Sequence, residues 1–412
     1  MPLSVLYLHP ISTFGGASRS LMELLRGLPD KAVQPYVVVP RGQVADMMIR
    51  EGYAVEQSGG IAQYDCTRFG HYRGLRWLIL LREAAFLPTT LWTSYRVSAR
   101  WRNVDLIHVN EITALIAALL INALLHRPLV VHVRSVQQVT GIRLRRRLLE
   151  YLLRRYVDAV VAIDETVRAS LPADMKIDIV HNSFTPTASS EIPPAVADLR
   201  NRFSKDSLRV GMVGNLLAMK GVYEFLEAAK ICVAKGLNVD FVIVGINPRP
   251  LSGLKGFFLR RFGFAHNLEA DIQRLIGSYG LDGRLHRLGF TSDVSSVYRS
   301  LDLLCFPSHL DAVGRPVIEA AWFGVPSIVA LDHQVPDTFV DGKTGVAVPS
   351  RNPEVLAAVI SRLYGRRDEV RRMGDAARQL AETGFDSQKN ARAVLAVYQR
   401  ALDQHRQKAV GR

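Results

Sequence analysis

Short apolar runs recur along this chain with helix-spaced leucines between them. Residues 5–8, 36–39, 106–109, 129–133, 159–163 and 177–180 are β-rich runs of four or five residues. After the first comes Gly15-Gly16, then Leu21, Leu24, Leu25 and Leu28 at the spacing of one helix face. Predominantly apolar strands alternating with helices predict a parallel sheet covered on both faces. The rhythm stops over 183–206, where Pro186, Pro193 and Pro194 stand among Ser and Thr. It restarts with strand-like runs at 208–213, 239–244, 285–289, 301–306 and 327–330, and a helix at 222–235. The final helix, near 387–403, carries Ala391, Val394, Leu395, Tyr398 and Leu402 at helical spacing.

The pattern therefore predicts an α/β protein of two doubly wound, Rossmann-like domains facing across a cleft. Residues 1–183 form the first domain, 184–206 a linker, 207–385 the second domain, and 386–412 a helix and tail that cross back to the first. A length of 412 residues exceeds the ~250–300 that one core supports, which agrees with two domains.

Charge changes the picture more than composition does. The net charge is +14, and between Cys66 and Tyr156 the chain carries fifteen arginines, no lysine and four acids. Such a field attracts anionic lipid, nucleic acid or acidic saccharide. The helix expected at 142–156 places Arg143, Arg146, Arg147 and Arg154 on one face beside Leu144, Leu148 and Leu152, and is the candidate docking surface for an anionic membrane. A segment at 246–267 mixes four basic residues with phenylalanine and leucine and has no acid, a second candidate for interfacial contact. The apolar stretch 112–125 is too short to span a bilayer, and Met1–Pro10 has no basic start, so a cytoplasmic, peripheral location is expected. Three scattered cysteines form neither a disulfide framework nor a metal site.

Candidate chemistry concentrates in residues 311–326. Asp311 and Glu319 flank Gly314, and Glu319 opens an Ala-rich segment ending at Gly324 and Pro326. Apolar runs on either side make this a strand–loop–helix–strand unit, whose loop lies at the carboxyl ends of the strands, where open α/β sheets bind ligands. Free N–H groups favour an anion there and a carboxylate accepts sugar hydroxyls, so the pair points to a sugar joined to phosphate. No Walker lysine, no G-x-G-x-x-G after the first strand and no H-E-x-x-H occurs, which argues against a kinase, a dehydrogenase and a zinc hydrolase.

Five stretches in order carry a resemblance: Gly15-Gly16-Ala17-Ser18-Arg19; Val213-Gly214-Asn215-Leu216 with Lys220-Gly221; Leu288-Gly289-Phe290 with Asp293 and Tyr298; Pro307 through Ala320; and Val340 to Gly345. Together they resemble the retaining glycosyltransferases of the two-Rossmann-domain (GT-B) architecture, family four. The resemblance implies sugar transfer from a nucleotide diphosphate donor to a glycan or lipid-linked acceptor at the cytoplasmic membrane face, in cell-surface polysaccharide or glycolipid synthesis. It implies no metal, no cofactor besides the donor substrate and no nucleic-acid partner. It assigns donor contacts to Gly15, Gly16, Gly214, Asn215, Lys220, Phe290, Gly314, Arg315, Pro316 and Glu319. Lys220 would neutralise the leaving diphosphate, Glu319 would hold the ribose, and Asp311 and His132 would face the transferred sugar. Two positions depart from the family pattern: Asn215 stands where relatives have arginine, and Asp311 where they have glutamate. Arg315 is the expected substitute cation. A sugar-nucleotide epimerase of the same fold, or an inactive basic protein binding membrane or nucleic acid, are the competing readings.

Overall fold

The structure, a computed structural model, describes residues 2–68, 70, 77–138, 143–186, 191–246, 268–291 and 293–410. Most of the 246–267 segment therefore lies outside the described residues, as does the side chain of Arg143. The chain divides into two units, Met1–Phe184 with Phe385–Arg412, and Thr185–Gly384.

The first unit holds strands β1 (Leu3–Leu8), β2 (Val33–Pro40), β3 (Ala54–Ser58), β4 (Leu106–Val109), β5 (Leu129–Val133), β6 (Ala159–Ala162) and β7 (Ile177–Ile179). They form one sheet in the order β3-β2-β1-β4-β5-β6-β7. Every pairing is parallel; Val5, for example, sits opposite Pro35 on one side and Leu106 on the other. One apolar layer packs the Gly16–Gly27 and Gln43–Arg50 helices on the sheet, the other packs Leu115–Leu125 and Arg143–Tyr156. The last helix, Ser387–Val410, belongs to this unit through Ala391, Val394 and Tyr398 in the first layer. Its seat is close: a Cβ at Gly27 would lie 2.4 Å from the Ser387 carbonyl oxygen. The buried Tyr398 hydroxyl lies 2.8 Å from His108 Nδ1 and donates to the Tyr7 hydroxyl at 3.2 Å.

The second unit is a six-stranded parallel sheet of β8 (Leu208–Val213), β9 (Val239–Val244), β10 (Leu285–Leu288), β11 (Leu303–Phe306), β12 (Ser327–Ala330) and β13 (Gly345–Val348), ordered β10-β9-β8-β11-β12-β13. Strand order reverses direction between β8 and β11, so their carboxyl ends open a crevice for a ligand.

Strands β3 and β13 were not marked by the apolar pattern: both are edge strands, Ala54–Ser58 has only two strongly apolar residues, and Gly345–Val348 reads as a turn continuing from Gly342. The expected linker contains a helix, Pro194–Asn201, started by Pro194 in the first turn and seated on Val196 and Leu199. Among the described residues no helix is long and apolar enough to cross a membrane.

Candidate functional site

In the second unit the candidate residues gather at the carboxyl ends of β8 and β11. Gly214 follows β8 with φ +139°, and Gly245 follows β9 with φ +133°. A Cβ on Gly245 would lie 1.9 Å from the Gly214 carbonyl oxygen, so glycine at 245 lets the two strand ends meet. Asn215, next along, is exposed. A short turn, Ala218–Lys220, leads through Gly221 (φ +81°) into the Val222–Ala234 helix. That turn is stitched to the chain leaving β11: His309 N donates to the Met219 carbonyl at 3.0 Å, and His309 Nε2 lies 2.8 Å from Glu224 Oε1.

The Lys220 ammonium sits 5.2 Å from the centre of the Phe306 ring. Desolvation is the cause that drives its pKa down to about 8, with no carboxylate contributing. The same ring backs Gly314, where a Cβ would come 2.2 Å from Phe306 Cζ. Gly314 caps the helix Arg315–Ala321, with Pro316 in its first turn, and Pro316 Cγ lies 3.9 Å from where a Cβ on Gly214 would stand. Lys220, Gly214 and the Gly314 turn thus converge on one corner.

Glu319, 4% exposed, lies one helical turn into this element. Its Oε2 accepts from the Tyr298 hydroxyl at 3.0 Å and its Oε1 from Arg315 Nε at 3.2 Å. Arg315 therefore differs from expectation: it is buried and engaged with Glu319, an i,i+4 pair on the inner side of a short helix, rather than standing open as a substitute cation. Tyr298 is fully buried, stacks on Phe323 and steadies Glu319. Phe290, just past β10, is 55% exposed.

Asp311 adopts φ +48°, in the left-handed region that Asp and Asn tolerate best among side chains with a Cβ. Its Oδ1 accepts from Asp332 N at 2.9 Å and lies 3.0 Å from His333 Nδ1. The carboxylate is held by the loop after β12 and is no free solvated group. Nothing in local sequence pairs positions 311 and 333; adjacency of β11 and β12 does.

The first unit has its own cluster of polar residues at strand ends. His132 lies inside β5 and is 3% exposed. Arg134 Nη2 donates to its Nδ1 at 3.3 Å, because a guanidinium only donates, so the ring proton resides on Nε2. That Nε2 is buried, with the Val180 backbone beside the ring. Burial first, then the cation of Arg134 and the neighbouring His108, hold its pKa well below the ordinary value, so the ring is neutral at pH 7. Arg134 also donates Nε to Asn110 Oδ1 at 3.0 Å and Nη1 to Asn182 Oδ1 at 2.9 Å, while Asn182 accepts from Ser20 Oγ at 2.8 Å. His9 Nδ1 lies 2.9 Å from Asn110 Nδ2, and its Nε2 is 3.0 Å from Ser18 Oγ. This network was not anticipated. Its signal was present, because His9, Asn110, Arg134 and Asn182 each end or follow an apolar strand. Gly15 is extended (φ −159°), a conformation open to any residue, and Gly16 begins the first helix.

Of the four arginines expected at a membrane, Arg146 pairs with Glu150 at 2.6 Å and Arg154 with Asp174 at 2.7 Å. Arg147 is exposed.

Comparison with known proteins follows the same division. Residues 14–187 match the family described as Glycosyltransferase Family 4, and residues 198–380 match Glycosyl transferases group 1. Among characterised relatives, the alpha-D-kanosaminyltransferase of Streptomyces kanamyceticus is 28% identical over 47% of this chain and 46% of that protein. The capsular polysaccharide biosynthesis glycosyltransferase CapM of Staphylococcus aureus is 25% identical over 46% and 45%. The chain spans about half the length of each. Anabaena Alr3699/HepE, solved with UDP-glucose, superposes with a TM-score of 0.72 at 18% identity, covering 96% of this chain and 100% of that one. Sucrose-phosphate synthase from Thermosynechococcus elongatus gives 0.72 at 16%, covering 98% and 100%. The fold shared with these structures is that of the GT-B glycosyltransferases, two Rossmann-like parallel-sheet units.

Proposed function

We propose that this chain, whose units carry the GT-B fold and match two glycosyltransferase families, moves a sugar from a nucleoside diphosphate to a glycan or lipid-linked acceptor, with retention at the anomeric carbon and without a metal. The observation that carries the reading is the meeting of Lys220 and the Gly314 turn at the Phe306 ring, with Glu319 one helical turn further on. A cation free of carboxylates and a steadied carboxylate at one sheet edge match a diphosphate joined to a ribose.

In this reading Lys220 gains most when the departing diphosphate collects charge, because burial has left its ammonium undersolvated. Gly214 and Asn215 bring backbone and amide donors to the phosphates. Glu319 accepts the ribose hydroxyls, and Arg315 and Tyr298 fix its rotamer. Phe290 offers a face to the base. Asp311, held by the His333 loop, contacts the transferred sugar and stabilises positive charge at the anomeric carbon. In the other unit, His132, neutral at pH 7, is a donor for a sugar hydroxyl, and Gly15-Gly16 admits close backbone approach. The leaving phosphate accepts the acceptor proton, so no protein nucleophile is needed. The acceptor reading sets this work in cell-surface polysaccharide or glycolipid synthesis at the inner membrane face.

Thermal shift against UDP, GDP, ADP and CDP tests donor binding, followed by transfer from the matching nucleotide sugar with the product anomer read by NMR. No shift with any nucleotide would sink the donor site. An inverted product would sink retention, and loss of turnover in EDTA would sink metal independence.

A further inference from the structure

The helix Ile79–Arg100 in the first unit is built inside out. Its buried residues are Glu83, Thr90, Thr93, Ser94, Val97 and Ser98, almost all polar. Its exposed residues include Leu81 at 69%, Leu91 at 54%, Trp92 at 60% and Tyr95 at 59%. Three of the inward hydroxyls are satisfied within the unit: Thr90 Oγ1 accepts from Ala62 N at 2.8 Å, Thr93 Oγ1 donates to Ser58 Oγ at 2.9 Å, and Ser94 Oγ donates to the Thr90 carbonyl at 2.8 Å, while the Ser98 hydroxyl has no partner among the described residues. The apolar side is therefore not a misplaced core. It runs from Leu81 to Tyr95, about 21 Å along the helix. A soluble surface rarely keeps such a patch uncovered.

We infer that this helix lies in the plane of an anionic membrane and inserts Leu81, Leu91, Trp92 and Tyr95 among the acyl chains. Charge selects that occupant. Between Trp77 and Arg102 the chain has four arginines and one acid. Arg96 and Arg100 both pair with Glu56, yet the Glu56 side chain is 4% exposed while theirs are 49% and 58% exposed. Arg82 and Glu83 repeat the arrangement, 54% against 9%. The acids lie beneath and the guanidinia face outward, so the rim of the apolar face is positive. A second copy packed on a two-fold axis would set these arginines against their own kind, whereas lipid phosphates complement them. Trp and Tyr beside arginine are the side chains that settle at the headgroup boundary. The Arg143–Tyr156 helix packs on the same side of the sheet and exposes Leu144, Leu148 and Tyr151. Arg146 and Arg154 are paired with acids there, while Arg147 is exposed, so this helix adds both apolar surface and positive charge.

This deepens the membrane part of the proposed function and rests on it for location only. The test is co-sedimentation of the full chain with phosphatidylglycerol–phosphatidylcholine vesicles and with phosphatidylcholine alone. Wild type should partition onto both and more strongly onto the anionic set. The double change Leu91→Glu with Trp92→Glu should lower partitioning at least about tenfold, and Arg147→Ala about fivefold on anionic vesicles only. Brominated acyl chains should quench wild-type tryptophan fluorescence, and Trp92→Phe should lose most of that quenching. An unquenched wild type, or one that stays in the supernatant with both vesicles, overturns the inference whether or not the glutamate variant folds. So does a wild-type dimer that the glutamate variant converts to monomer, which would assign the face to a second copy. Nucleotide-induced thermal shift is recorded in parallel; its loss bears on the donor site and leaves the vesicle result standing.

Discussion

Replacing Lys220 by methionine should stabilise the unliganded protein while abolishing donor binding. Burial lowers the lysine pKa from 10.5 to about 8. That shift corresponds to roughly 3 kcal/mol by which the fold disfavours the charged form. The unfolded chain keeps its proton up to about pH 10.5, so between pH 8 and 10.5 it binds more protons than the folded chain, and stability rises with pH there. Below pH 8 the full penalty is present. Methionine removes it and keeps the stem against Phe306. If side-chain relaxation and partial hydration recover half of it, about 1.5 kcal/mol remains, a rise of about 3–6 °C in Tm for a unit of this size. Binding should titrate too. The ammonium is about nine-tenths protonated at pH 7 and about one-tenth at pH 9, so the Kd of the bound nucleoside diphosphate should rise about tenfold across that window. Lys220→Arg, which does not titrate, should flatten the curve. Calorimetric titration with the preferred nucleotide from pH 7 to 9.5 measures this. A wild-type Kd independent of pH, or an equal slope in Lys220→Arg, would refute the argument that an undersolvated ammonium holds the diphosphate.

Three further outcomes follow from named contacts. Tyr298→Phe removes one of the hydrogen bonds that steady Glu319 and should weaken donor affinity by about 1–2 kcal/mol, roughly 5- to 30-fold, with an unchanged circular dichroism spectrum; an unchanged donor KM would remove Tyr298 from the site. Gly245→Ala forces a Cβ against the Gly214 carbonyl at a positive φ, and urea denaturation should register a loss of about 2–4 kcal/mol. Glu111, raised to about 7 chiefly by burial, binds its proton in the folded state after the unfolded chain has released it, so stability should fall as pH rises from about 4.5 to 7. Glu111→Gln should flatten that segment of the Tm profile and leave a higher Tm at pH 7.5.

Both sheets were legible from the chain itself. An internal parallel strand is buried on both faces, so it must be largely apolar, and runs such as Leu303–Phe306 and Ala159–Ala162 announce themselves. The glycines at 214 and 221 and the Gly314–Glu319 turn were equally readable, because local backbone geometry restricts which residues fit. What escaped was set by partners distant in sequence. Edge strands β3 and β13 are strands because a neighbour completes their ladders. Arg315 turns onto Glu319 because the helix face it occupies is covered, and Tyr298 reaches the same carboxylate from another element. Asp311 meets His333 only because β11 lies beside β12. The Ile79–Arg100 helix defeats a reading that assumes apolar residues point inward, since its polar side found hydrogen-bond partners around Ser58 and Ala62. Sequence alone determined where the backbone must run and which residue types stand at the strand ends. Tertiary structure decided which charges are paired and which are left open, because a hydrogen bond depends on a few tenths of an ångström between groups whose separation along the chain carries no record of it.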